Sequence, residues 1–232
     1  MRRILILIFL SSLMFGCTTI SVHQKTQKVT ETTVELGSIG LSNEHIISNS
    51  FETIAIPIFE NSLKLNVQSV PFAKHSFKAF AKSNEHIKKV ALNFSDSLQV
   101  KPEYVVLEFV DRIPMIAALN SAENVGVRSY LETKEEARIV TGISIAFSKQ
   151  QIDVLKKAEE VFLIQSSSKK FDLQLVNTKG TSQTMLLSSG VVFAYQTAGF
   201  CWKENTKHKL VIADIVSNSD GCPPNTHRKA QK

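Results

Sequence analysis

Between Ile54 and Val67 apolar and polar positions alternate in two runs. Ile54, Ile56 and Ile58 form the first and Leu63, Leu65 and Val67 the second, with Glu60 and Asn61 between them. A period of two marks a half-buried strand, so the pattern predicts a hairpin with one apolar face. Pro57 cannot donate a ladder hydrogen bond and confines the first strand to an edge or a bulge. Upstream, residues 29–39 are rich in threonine and end near Gly37 and Gly40, which predicts a strand and a turn. Residues 88–94 and 98–100 read as strand pieces. Residues 104–110 are apolar except for Glu108, the pattern of a central strand. Asp111 and Arg112 read as an ion pair capping its end, and residues 115–119 continue as a short helix. Strands are also predicted at 161–164, 171–175, 183–187, 191–195 and 210–216, with a turn at 177–180.

Two stretches change period. In residues 71–90, Lys74, Lys78 and Lys82 recur every four positions, with Phe77, Phe80 and Ala81 between them. This predicts a short surface helix, phenylalanines inward and a basic stripe outward. The better-defined helix opens at Ser148. Ser148 and Gln151 form a capping box, and Phe147 and Ile152 form a hydrophobic staple. Ile152, Leu155 and Ala158 then share a face, so the helix is expected at about 149–160. Thr133 and Glu136 also have capping-box spacing, but Ile143, Ile145 and Phe147 alternate beyond them and leave room only for a brief helix. Strands following one another this densely imply an antiparallel sheet. The expected fold is a single α+β domain over residues 29–222, mainly antiparallel, with a candidate internal boundary at 120–125.

The N-terminal stretch is different in kind. Arg2 and Arg3 precede the apolar run 4–10, and Leu13, Met14 and Phe15 extend it. That is a charged region followed by an apolar core of secretory length, well short of the ~20 residues needed to span a bilayer. It ends in Met14-Phe15-Gly16-Cys17, which resembles the lipobox of bacterial lipoproteins. The family favours Leu and a small residue where this chain has Met14 and Phe15. The resemblance implies a signal peptide at 1–16 and a diacylglycerol on Cys17, which becomes the mature, usually acylated N-terminus. Thr18 stands where an aspartate would retain such a protein at an inner membrane, so the resemblance implies a lipid anchor in the cell envelope, at an outer membrane. Residues 17–28 then read as lipidated cysteine and polar tether. The alternative is ordinary secretion, with Cys17 a free or paired thiol.

Export changes how the cysteines are read. With Cys17 lipidated, Cys201 and Cys222 remain, and an even pair in an exported chain predicts a disulfide. It would close a loop of about 20 residues and contribute roughly 3 kcal/mol. Trp202 is expected to pack over it, and residues 223–232 read as a disordered basic tail. Formal charge is +6 and falls to +4 without Arg2 and Arg3, too mild for a dedicated nucleic-acid binder.

Recognisable chemistry is sparse. There is no G-x-S-x-G elbow, H-E-x-x-H, P-loop or dinucleotide fingerprint, and the six histidines show no metal spacing. Ser42-Asn43-Glu44-His45-Ile46 recurs as Ser83-Asn84-Glu85-His86-Ile87. Two Glu-His pairs would suit metal binding or proton transfer, whereas two polar turns explain them more simply. No cofactor, metal or nucleic-acid partner is expected. The leading expectation is a non-enzymatic envelope lipoprotein contacting another envelope protein or a glycan. The alternatives are an envelope-acting enzyme such as a hydrolase without a recognisable motif, and a binder of anionic glycan or lipid headgroups through Lys74, Lys78 and Lys82.

Overall fold

A computed structural model describes residues 19–22, 24–44, 49–166, 170–217 and 219–230. Among the described residues, twelve strands form one antiparallel sheet. They are β1 (Thr19–Val22), β2 (Lys25–Val29), β3 (Ile39–Glu44), β4 (Asn49–Ala55), β5 (Leu63–Pro71), β6 (Glu103–Phe109), β7 (Arg138–Ala146), β8 (Glu160–Ser166), β9 (Lys170–Val176), β10 (Ser182–Leu186), β11 (Val191–Glu204) and β12 (Leu210–Ser217). The main path runs β1-β2-β11-β7-β6-β5-β8-β9-β10. It branches twice. β12 joins β11 beyond β2, and β3, carrying β4, joins β7 beyond β6. Register shifts along β11, at Val192/Ala194, Gln196/Thr197 and Cys201/Trp202, mark where it bends. Such bulges raise local twist, which lets one strand change neighbours along its length.

The sheet is buried on both faces. On one, Leu65, Leu107, Ile143, Ile145, Leu163 and Leu173 meet three short helices. These are α2 (Ile113–Asn120), α3 (Val125–Leu131) and α4 (Lys149–Lys157), which contribute Met115, Leu119, Leu131, Ile152 and Leu155. On the other face lies α1 (Lys74–Ile87), with Ala79 and Phe80 inward. Phe72 is its keystone, 1% exposed, with its ring centroid 4.9–5.7 Å from those of Phe77, Phe80, Tyr104 and Phe193.

The hairpin of β1 and β2 covers the rest of that second face. Ile20 and Val22 are buried in the same cluster as Phe72. Gln27 is also buried: Ser144 Oγ donates to its Oε1 at 2.6 Å, while its Nε2 has no partner among the described residues. Lys25 reaches Glu108 on β6 at 2.7 Å. The tether expected at 17–28 is therefore strand from Thr19 onward. Cys17 and the leader lie outside the described residues.

Other expectations shift for physical reasons. Of the segment 29–39, only Val29 and Ile39 are in strands, and Gly37 turns the chain with φ +85°. Ile54 and Leu63 do lie on strands, but β4 pairs with β3, and β5 pairs with β6 and β8. The connection through Pro57 is held by side chains instead. Ile58 N donates to Asn124 Oδ1 and Asn124 Nδ2 donates back to Ile58 O, both at 2.8 Å, while Phe59 N donates to Gln165 Oε1. Asn124 is fully buried, and β6 and β5 pair with β7 and β8 from beyond it, so 120–125 lies within one sheet rather than between units. Residues 88–102 are irregular. Asp111 caps α2 by accepting from Ile113 N, and Arg112 pairs with Asp214 rather than with Asp111. Thr133 closes α3 by donating to Tyr130 O and starts no helix.

Elsewhere the expectation holds. α4 is capped by Ser148 and Gln151, with Ile152 buried, and ends at Lys157 because β8 begins at Glu160. Cys201 and Cys222 form a disulfide with Cα atoms 5.7 Å apart. Trp202 joins the larger core, its ring 6.5 Å from that of Phe200. The tail is the exception: expected to be disordered over 223–232, it instead packs against β11 through His227 and Arg228. Trp202 and His227 exchange backbone hydrogen bonds of 2.8 and 2.9 Å, and Arg228 Nη2 donates to the carbonyls of Ser217 and Asp220. Arg228 lies so close over Gly199 that a Cβ there would sit 2.2 Å from its Nη1.

The aromatic contacts of Phe72 predict its energetic weight. Phe72→Ala should lower unfolding free energy by about 3–5 kcal/mol in urea titrations. Val100→Ala, at a position 87% exposed, should change it by less than about 0.5 kcal/mol.

Candidate functional site

One apolar-walled concavity lies where four connections converge. These are residues 33–35, the C-terminal end of α1 with Ile87 and Lys89, the facing ends of β8 and β9, and the 3-10 turn Leu187–Ser189 leading into β11. Its volume is about 340 Å³. Val34, Phe171, Leu187 and Val191 make apolar walls, and Leu186 forms a rim that is 57% exposed. Gly190 lets the turn settle inward, since a Cβ there would lie 2.6 Å from both Ile145 and Phe147. Lys89 Nζ donates to Ser188 O at 2.9 Å and straps α1 to the turn.

Two carboxylates enter this apolar setting. Asp172 lies between Phe171 and Leu173 on β9 and opposite Leu186 on β10. It is 7% exposed, and among the described residues its carboxylate accepts no hydrogen bond. Glu35 lies between the buried Val34 and Leu36. Its Oε2 is sealed from solvent and likewise accepts no hydrogen bond. Burial pushes the Glu35 carboxyl above its ordinary value, and the charge of Lys170 opposes this. Thr33, Ser166 and Ser188 add hydroxyls to the lining, Lys89 and Lys170 add ammonium groups, and no histidine or cysteine lines the cleft. Among the described residues no group of three or more His, Cys, Asp and Glu is placed to hold a metal ion. The arrangement is suited to holding a partly apolar, positively charged group.

The residues singled out from sequence lie elsewhere. Lys74, Lys78 and Lys82 form an exposed stripe along α1, and Lys82 is paired with Glu31 at 2.5 Å. None of them lines the cleft. The two copies of the five-residue repeat adopt different structures. Ser42, Asn43 and Glu44 belong to β3, and His45 and Ile46 lie outside the described residues. Ser83 to Ile87 end α1, where Ser83 Oγ donates to Thr30 O and Asn84 Nδ2 donates to Val90 O. The second copy thus stitches the helix end to neighbouring backbone. Glu35 and Asp172 carry no sequence signal, because a carboxylate alternating with apolar residues reads as a solvated strand face.

Glu35 makes stability depend on pH in a defined direction. Its folded pKa is raised, so the native state binds the proton more tightly than the unfolded chain does. Below the unfolded value both states are protonated and nothing is lost. As pH rises through the window up to the folded value, the native state must ionise a half-buried group and loses stability. Glu35→Gln should therefore melt above the parent protein at neutral pH, with the gap shrinking toward about pH 4, near the unfolded carboxyl value. Thermal melts across that range check this, and an equal gap at both ends would assign the effect to packing. No protein-family model matches this chain, and no curated protein matches it.

Proposed function

We propose that the protein is a lipid-anchored component of a bacterial cell envelope that binds its ligand without transforming it. The cleft is the observation that carries the binding half of this reading. It is apolar-walled, of ligand size, and holds a carboxylate oxygen, Glu35 Oε2, that the protein itself leaves unpartnered. The lipobox-like Met14-Phe15-Gly16-Cys17 and the charged, apolar leader support the anchor. With Thr18 in place of an aspartate, the outer membrane is the proposed location. The fold adds a geometric consequence. β1 starts at Thr19, so a lipid on Cys17 would have only Thr18 between it and the sheet. At about 3.5 Å per residue, that holds the domain against the bilayer surface.

Intact mass of the protein extracted from membranes in detergent tests the anchor. The expected mass corresponds to a chain starting at Cys17 plus two or more acyl chains, with Cys201 and Cys222 alkylated only after reduction. A lipid-free mass in the soluble fraction would remove the anchor from the reading.

A second reading rests on α1. Lys74 and Lys78 are exposed one turn apart, and the helix shares its side of the sheet with the β1–β2 hairpin that would follow the anchor. Such a face suits anionic headgroups or an acidic glycan. Each lysine near an anionic surface contributes about 1 kcal/mol, so Lys74→Glu with Lys78→Glu should weaken binding to anionic vesicles more than tenfold at low salt. Equal binding by parent and variant, or binding indifferent to salt, would end this reading.

A further inference from the structure

We propose that the cleft formed by residues 33–35, the β9–β10 hairpin and the Leu187–Ser189 turn binds an organic ammonium ion with an apolar body, its charge met by Glu35 and Asp172. The inference deepens the reading of the cleft as a binding site and does not depend on the lipid anchor.

The argument starts from what the carboxylates lack. A buried charge is ordinarily paired or hydrogen-bonded, because desolvation otherwise neutralises it. Asp172 is 93% buried as a residue, and its carboxylate oxygens accept no hydrogen bond among the described residues while keeping some contact with solvent. Glu35 Oε2 likewise accepts none and is sealed from solvent. The nearby cations do not fill the gap. Lys89 is engaged with the Ser188 carbonyl, and Lys170, whose charge only partly offsets the burial of Glu35, is exposed and forms no ion pair with either carboxylate. Two acceptor groups therefore face a concavity whose remaining walls are largely carbon.

The chemistry of the walls selects the kind of cation. Calcium takes six to eight oxygen ligands, and magnesium keeps several waters in an octahedral shell. Here the side-chain oxygens come from two carboxylates, Thr33 and the serines, among valine, leucine and phenylalanine. A primary ammonium needs only three acceptors, and the carbon skeleton it carries removes the apolar wall from water. The volume of about 340 Å³ sits at the small end of ligand cavities and fits a compact amine rather than a polymer. Lys170 at the rim sets the polarity along the cleft, negative inside and positive at the mouth. A ligand with a second, anionic group would direct that group outward.

Three ligands of one shape separate charge from carbon: hexylammonium, hexanol and hexanoate. Each is titrated calorimetrically into the full-length protein in non-ionic detergent. Hexylammonium should bind at least about tenfold more tightly than hexanol, the effect of one charge-assisted hydrogen bond, and hexanoate should bind most weakly. Glu35→Gln and Asp172→Asn should each abolish most of that preference for hexylammonium over hexanol. Lys170→Gln should move the other way and tighten hexylammonium binding a few-fold, which a loosened fold does not produce. Thermal melts confirm that each variant is folded. Equal binding of all three ligands would overturn the ammonium assignment and leave the cleft as an apolar site. No binding by any of them would overturn both, with the membrane mass measurement unaffected.

Discussion

Strand β11 has to satisfy two sets of neighbours. Along one edge it meets β7, and along the other it meets β2 and then β12. Every other part of the architecture follows from that division. Because β2 and β12 share an edge, the β1–β2 hairpin is free to fold across the sheet onto β6 and β7, where Lys25 reaches Glu108 and Gln27 reaches Ser144. Because β12 takes over farther along, α2 can pack beside it, and Asn120 donates from Nδ2 to Ile212 O while accepting from Ile212 N. A strand that kept one partner throughout would close neither side.

The two cores that result differ in make-up. The larger is mainly aliphatic, with rings such as Tyr195 and Trp202 spread through it, and wraps the helices α2, α3 and α4. The smaller is aromatic and centred on Phe72. The candidate cleft lies where strand ends, helix end and turn meet between them, lined by Val34, Phe171 and Leu187 from the first and Val191 from the second. Glu35 stands there on a connection between strands, outside any ladder. Polar groups can remain unpartnered at such a junction without breaking a strand pair.

What the amino-acid order makes legible is local chemistry. The Ser148 helix is capped by neighbours three and four positions away, so its signal lies in one short window. The alternation of Phe171, Leu173 and Leu175 fixes which face of β9 is buried. The pairing of Cys201 with Cys222 follows once Cys17 is set aside. Alternation does not name a partner, however. Ile54 and Leu63 share the expected pattern, yet their strands pair with others, because Asn124 and Gln165 hold the intervening backbone from far along the chain. The β1–β2 hairpin was hidden for a related reason. Gln27 looks like a solvated residue until Ser144, 117 residues away, supplies its partner. Glu35 and Asp172 are the extreme case, since only the convergence of four separate segments gives them a setting.

The end of the chain is fastened to β11 twice, by unlike means. One fastening is the Cys201–Cys222 bridge. The other is the clasp formed by His227 on Trp202 and by Arg228 lying over Gly199. The first depends on the redox state of the surroundings and the second does not. In a newly made chain whose thiols are still reduced, the clasp can bring the tail beside β11 and hold the two sulfurs within reach of each other. The hydrogen bonds and the bridge thus favour one and the same placement of the tail.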